Sequence, residues 1–373
     1  MNTSNERFLC RLKEMRKAKG LSQGRIAELA GVGRQAVYDM ESGKYVPNTA
    51  VALRLARILD CRVEDLFSFE EPEIERPVTL VDCQEATGTR VAIAKIGERL
   101  VGYPLDAKSL PGGSFQPAGG LLAPGRGAVR LIETEDRLEK IALVLGCDPA
   151  FALLGAHIAR KVSDAGVHCR FASSQSAVER LAGGYAHLAG IHFHSDSDSG
   201  DTNLAFAREG MKGRRALLVG FSLFEEGIMV AAGNPRGIRS VEDLAGKGVR
   251  FVNRERGAAL RTLLDDMLRR KGFTGKAIRG YDRIVGDHAR GAQMVAYNLA
   301  DGALGLRAVA ASWGLDFVAL ETVRCDFVVP AEFMEHPAVS IILDVLQTRA
   351  FQREISALPG YEASCTGSII GEV

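Results

Sequence analysis

No CxxC pair or matched spacing joins the seven cysteines (Cys10, Cys61, Cys83, Cys147, Cys169, Cys325, Cys365), so neither a disulfide framework nor a zinc module is expected. No apolar run reaches membrane-spanning length, and residues 1–16 lack the charged, apolar and small-residue zones of a signal peptide. The expectation is a cytoplasmic chain with no membrane partner. Lys and Arg number 47 against 46 Asp and Glu, which excludes a global electrostatic field as the means of holding nucleic acid. Repeats and low-complexity tracts are missing. So are a GxSxG elbow, a Gly-Lys-Ser phosphate loop and an acid–base pair at persuasive spacing, and an enzyme is therefore the rival reading rather than the leading one.

What is present is uneven along the 373 residues, a length that favours two or three folding units. Residues 1–67 hold about 12 basic against about 8 acidic side chains, so the basic excess is local. Apolar spacing there predicts five short helices. The first covers about 6–18 with Phe8, Leu9, Leu12 and Met15 inward, and Gly20 ends it. The second is capped by Ser22, with Ile26, Ala27 and Leu29 inward. The third covers about 33–42 with Val37 and Met40 buried; a fourth spans 48–59, and a last one includes 64–67. An acidic, Pro-bounded stretch at 69–77 marks a boundary.

Beyond it, alternating runs at 78–81, 90–94 and 100–103 and a Pro/Gly-rich loop at 111–127 predict a small β unit. From about residue 139, apolar strands (141–145, 186–191, 228–231, 249–252, 317–320) alternate with helices from Pro149, from Ser176, over 258–270, over 289–299 and after Pro337, which is α/β grammar. The reading is an all-α domain at 1–68, a linker and small β unit at 69–138, and a two-lobed α/β domain at 139–373. Lobe one takes about 139–230 and 325–373, lobe two about 231–324.

A helix-turn-helix needs a small residue where two helices meet, a tight turn, and outward polar side chains on the second helix. Ala27, Gly31, and the buried anchors Val32 and Val37 meet those needs. Leu21-Ser22-Gln23, Gly31-Val32, Arg34-Gln35 and Glu41-Ser42-Gly43-Lys44 resemble the Cro/repressor-like (XRE-type) family over about 60 residues. The resemblance implies that Gln23 holds a phosphate of double-stranded operator DNA. It places Arg34, Gln35 and Tyr38 on the major groove and Ser42 and Lys44 at the same edge. Gln35 suits adenine and Arg34 guanine or a phosphate. Asp39 departs from the family's usual Ser or Arg and either accepts from cytosine or repels a phosphate. A helical bundle that pairs with protein is the bland alternative. One short helix reads only a half-site, so a homodimer or higher homo-oligomer is expected.

Three loops of the α/β part are rich in donors and precede helices: Gly146 to Ala150, Ser173 to Ser176, and Asn253 to Gly257, positions suited to a small anionic effector. The order of Gly146-Cys147-Asp148-Pro149, Ala189 to His192, Gly233-Asn234-Pro235, Val252 to Glu255, Gly280-Tyr281, Leu315 to Val318 and Pro359-Gly360-Tyr361 is similar to the cytoplasmic domains related to periplasmic molybdate-binding proteins, over about 143–366. That implies a type II periplasmic-binding-protein module behind a DNA-binding domain, and an oxyanion such as molybdate or tungstate as ligand, with no other cofactor. Ser173, Ser174 and Ser176 would donate from one lobe, and Asn253, Arg254, Arg256 and Gly257 from the other. Family members commonly carry Gly-Ser-Gly-Thr-Arg where this chain has Gly257 to Arg261 with neither hydroxyl, at a cost of about 1–3 kcal/mol per lost donor. A larger organic anion held by Arg254, Arg256 or Arg261 is the alternative.

His192 is expected to line the cleft. His192 and His194, followed by Asp196 and Asp198, superficially look like a metal site but read equally well as a polar loop, and no metal is assigned. His288 caps either the cleft or its helix. Cys147 and Asp148 open a predicted helix, where a thiol can become reactive, so a redox-sensing role is a further alternative, as is a ligand-binding protein without DNA recognition.

Overall fold

The computed structural model describes residues 8–69, 75–81, 89–105, 116–124, 127–194, 201–246 and 248–373. They form two compact units, Met1–Ile74 and Glu75–Val373.

In the first unit, α1 (Leu12–Ala18), α2 (Gln23–Ala30), α3 (Arg34–Glu41), α4 (Thr49–Leu59) and α5 (Val63–Leu66) enclose Leu12, Ile26, Val37, Met40, Leu55, Leu59 and Leu66, all fully buried. The Ser22 hydroxyl accepts the Arg25 N–H and Asn48 accepts the Val51 N–H, which starts α2 and α4. Gly31, at φ 66°, turns the chain from α2 into α3. The first helix begins at Leu12. Phe8–Cys10 is instead a strand, β1, paired antiparallel with β2 (Phe67–Phe69), of which Phe67 was expected in the last helix. Phe8 stacks on Phe67 with ring centroids 6.0 Å apart, a partner far along the chain that local spacing does not reveal. Leu29, expected inward, is exposed.

The second unit begins with a small sheet ordered β3-β8-β7-β5-β6-β4, from Glu75–Pro77 (β3), Thr79–Leu80 (β4), Arg90–Ile96 (β5), Arg99–Pro104 (β6), Gly120–Leu122 (β7) and Ala128–Leu131 (β8). Strand β7 lies inside the stretch expected to be loop; residues 106–115, 125 and 126 of that region fall outside the described residues. Val91, Ile93, Val101 and Val129 of this sheet share one core with Leu143, Leu145, Ala189 and Val328 of the α/β part.

After α6 (Glu135–Leu138), lobe one supplies β9 (Ile141–Gly146), α7 (Ala152–Lys161), β10 (Gly166–Phe171), α8 (Ser174–Ala182), β11 (Leu188–Ile191) and α9 (Thr202–Met211). Two strands of 15 residues, β12 (Ala216–Val230) and, later, β16 (Asp316–Pro330), pair antiparallel along their length. Their outer halves join β11 in lobe one and β15 (Gly302–Leu306) in lobe two. Lobe two is completed by β13 (Phe251–Arg254), α10 (Ala259–Arg270), β14 (Ile284–Val285), α11 (His288–Ala296) and α12 (Arg307–Ser312). Helices α13 (Pro337–Leu346) and α14 (Arg349–Ala357) and strands β17 (Tyr361–Glu362) and β18 (Ile369–Glu372) return to lobe one, both strands pairing with β12. The sheet order is β10-β9-β11-β16-β12-β15-β13-β14.

The register of β12 on β16 shifts at Gly220/Ser222 and again at Glu226/Gly227, midway between the lobes. A bulge re-aims the side chain beside it. Gly227 is required there, because a Cβ at that position would sit 2.1 Å from the Val318 carbonyl oxygen.

Candidate functional site

The candidate DNA-reading surface is α3 and its flanks. Arg34, Gln35, Tyr38, Ser42 and Lys44 are exposed. Gln35 Nε2 donates to Asp39 Oδ1 at 3.0 Å, so the unexpected Asp39 holds the side chain proposed to read a base. The Ser42 hydroxyl donates to the Asp39 carbonyl and finishes the helix. Gln23 is half-buried and donates to Glu41 Oε2 at 2.8 Å, a tie that sequence reasoning missed.

Glu41 also accepts two hydrogen bonds from Arg16, Nε to Oε1 at 2.5 Å and Nη2 to Oε2 at 3.1 Å, while Arg16 Nη1 donates to the Leu21 carbonyl. Burial works against the Glu41 charge, but Arg16 and Gln23 outweigh it and hold its pKa below the ordinary value. Glu41→Ala leaves a buried guanidinium unpaired, a loss of roughly 3 kcal/mol. Hydrogen exchange of the α1–α3 amides in the full chain should lose about 100-fold of its protection; unchanged protection would refute the buried-pair account.

The second candidate site is the cleft between the lobes. Cys147, Ser173, Ser174 and His192 line it from lobe one, Glu226 from the bulged strand β12, and Arg254, Glu255 and His288 from lobe two. This inner pocket has room for about one water, at ≈ 10 Å³. It shares Cys147, Phe171 and His288 with an outer cavity of ≈ 370 Å³, lined by Phe151, Phe171, Val309 and Trp313 and by the polar Gln116 and Arg170. Gln116 comes from beside the small sheet and Trp313 from lobe two, so one ligand there would touch three parts of the unit.

Arg254 is almost completely buried. Its guanidinium donates to Glu255 (3.2 and 3.0 Å), lies 3.0 Å from His288 Nδ1, and faces the Phe171 ring at 5.5 Å. Glu255 thereby neutralises the buried guanidinium. Burial, then the Arg254 charge, push the His288 pKa well below its ordinary value, so this ring is neutral. The α11 cap is Asp287, which accepts the Arg290 N–H; His288 itself faces the cleft rather than capping the helix.

His192 Nδ1 lies 3.4 Å from Cys147 Sγ and its Nε2 lies 3.2 Å from Glu226 Oε1. His194 Nε2 lies 3.1 Å from the other Glu226 oxygen. Burial alone would neutralise His192, yet Cys147 and Glu226 beside it hold its pKa well above the ordinary value; the histidines in turn keep Glu226 ionised despite its burial. No group of His, Cys, Asp and Glu able to hold a metal ion occurs among the described residues, and Asp196 and Asp198 lie outside them.

The remaining expected ligand residues are placed differently. Asn253 is fully buried and its amide is consumed by the Tyr281 carbonyl and the Arg254 N–H. Asp148 borders the outer cavity, but its carboxylate accepts from Tyr361, Ser222 and the Ala150 N–H. Ser173 accepts the Ser176 N–H as the α8 cap, and Ser176 stands outside the pocket. Arg256 and Gly257 are exposed, and Arg261 is buried against Tyr281 and the Arg254 carbonyl. Ser174 lies in the pocket, its hydroxyl bridging the His192 backbone.

A helical unit with a small-residue turn and an exposed second helix, followed by two α/β lobes strung on two crossover strands, defines a DNA-binding regulator with a ligand-binding module. Helix-turn-helix family matching covers residues 12–66, and the PBP superfamily domain covers 155–347. The chain belongs to the PBP superfamily, with an XRE-type helix-turn-helix domain at 12–66. It is 38% identical over 64 residues to an uncharacterized HTH-type transcriptional regulator of Archaeoglobus fulgidus, covering 91% of that protein and 17% of this one. It is 26% identical over 230 residues to the uncharacterized protein YvgK of Bacillus subtilis, covering 73% of that protein and 62% of this chain. Among solved structures, PEB3 from Campylobacter jejuni aligns with a TM-score of 0.40 at 18% identity, over 60% of this chain and 99% of PEB3. No helix among the described residues is long and apolar enough to cross a membrane.

Proposed function

We propose that the protein is a cytoplasmic, dimeric transcription regulator that reads operator DNA through Arg34, Gln35 and Tyr38 and senses a small organic anion in the cleft. The cavity carries this reading. In the inner pocket Glu255 holds Arg254 and leaves room for about one water, whereas the adjoining outer ≈ 370 Å³ space is bordered by aromatic rings and by Arg170. An apolar cavity of that size with a few polar groups suits an organic acid. Its carboxylate would displace Glu255 from Arg254 and draw the lobes together about β12 and β16.

Trp313 is the only tryptophan in the sequence and borders the cavity, so its fluorescence reports occupancy directly. Benzoate and a panel of aliphatic carboxylates are expected to change that emission, and the best of them should raise the melting temperature by a few degrees at about 100 times its Kd. Arg254→Ala should remove both responses. Molybdate or tungstate alone stabilising the protein, with every carboxylate silent, would replace this reading with the oxyanion one.

A further inference from the structure

Cys147, His192 and Glu226 form a chain of contacts that ligand binding alone does not require. Sulfur, imidazole and carboxylate follow one another at 3.4 and 3.2 Å, the two ring nitrogens being used one on each side. Glu226 has no solvent exposure, and neither of its oxygens makes a hydrogen bond of good geometry. A buried carboxylate in that state is stabilised by a cation beside it; His192 and His194 both lie beside Glu226, and His192 is the one that also meets the Cys147 sulfur. Cys147 is partly exposed and borders both the inner pocket and the outer cavity.

We propose that Cys147 and His192 act as a thiolate–imidazolium pair, oriented by Glu226, that captures a soft carbon electrophile of the conjugated-carbonyl class in the cleft. The Cys147 sulfur attacks the β-carbon of the ligand. A C–S bond forms as the C=C π bond breaks, and its electron pair passes to the α-carbon and carbonyl oxygen. The resulting enolate takes the Nδ1 proton of the His192 imidazolium. The product is a thioether with a neutral imidazole, and no oxidant or reductant is consumed. The adduct would lie in the cavity bordered by Phe171 and Trp313, across both lobes. The other thiols among the described residues are poorly placed: burial pushes Cys169 up to about 12 and Cys365 up to about 11. Burial also raises Cys325, Cys10 and Cys61.

This inference rests on the cleft being the ligand site, and the full-length protein tests the two separately. Substoichiometric N-ethylmaleimide at neutral pH, followed by peptide mapping, is expected to label Cys147 at least roughly tenfold faster than any other cysteine. His192→Gln should slow that labelling by a similar factor. Ultraviolet difference absorbance should show a thiolate in the wild type that is missing from Cys147→Ser, a readout independent of whether His192→Gln folds. Glu226→Gln should diminish the thiolate signal. Unselective labelling, or no thiolate difference between wild type and Cys147→Ser, overturns the pair. Wild-type protein that binds benzoate reversibly yet is labelled unselectively sinks the covalent proposal alone and leaves the organic-anion reading standing. Selective labelling without a benzoate response upholds the pair and sinks the other.

Discussion

Replacing Arg34 and Gln35 together by alanine is expected to weaken specific DNA binding by at least ~100-fold, since each good base contact contributes about 1–3 kcal/mol. Fluorescence anisotropy on a duplex selected in vitro with the wild-type protein measures it. Both side chains are exposed on α3 and neither belongs to the helical core, so circular dichroism should stay unchanged. Asp39→Ala is the informative contrast. It frees the Gln35 amide and removes a carboxylate from a face that must approach phosphates, so affinity should rise and salt dependence steepen. Retention of the same duplex by the double variant would show that α3 is not the reading helix.

Acidification should destabilise the second unit well before its carboxylates are titrated. His187 has no solvent exposure; its Nδ1 accepts the Leu143 N–H at 3.0 Å and its Nε2 lies 3.1 Å from the Lys95 carbonyl, to which it donates. A neutral ring is needed for that bridge between the small sheet and lobe one, because a proton on Nδ1 would face another N–H. Burial, with His336 alongside, pushes its pKa down to about 3, and burial takes His168 down to about 4, both from 6.5. The unfolded chain binds these protons below about pH 6.5 and the folded one does not, so stability is full above that pH and falls towards pH 3–4. Each histidine removes about 3 kcal/mol between pH 7 and pH 4. His187→Phe should flatten that slope in urea titrations. At pH 7 it should cost about 2–4 kcal/mol for the unpaired Leu143 N–H and Lys95 carbonyl. An unchanged slope would mean that the ring is protonated in the fold.

The helix-turn-helix was readable because its determinants are local: a cap at Ser22, a left-handed glycine at Gly31, and apolar residues at helical spacing. Phe8 and Phe67 escaped because a strand pair between distant segments leaves no local mark. The crossover strands were visible only in their lobe-two ends, at 228–231 and 317–320. Gly220, Gly227 and the adjacent Glu225 and Glu226 interrupt the apolar run of β12, and the same bulge positions the cleft carboxylate. Cys147, Ser173, Ser174 and Arg254 were read from loops preceding helices and His192 from a strand end, and the five line one pocket. Glu226 was missed because a buried acid within a strand resembles a solvent-facing one until its neighbours are known. Asn253 was misjudged for a related reason: a polar side chain at a strand end serves a loop carbonyl as readily as a ligand.

Val230 and Asp316 are Cα partners where β12 and β16 enter lobe two. Everything between them is thus a single long excursion from one hairpin, and β17 and β18 reach β12 only after that excursion has returned. Lobe one therefore depends on pairings of high sequence separation, whose closure entropy must be met before its sheet is whole. During synthesis, strands β9 to β11 emerge without their β16 neighbour. The lobe holding Cys147 and His192 becomes a finished structure only once residues 316–330 and 361–372 have left the ribosome.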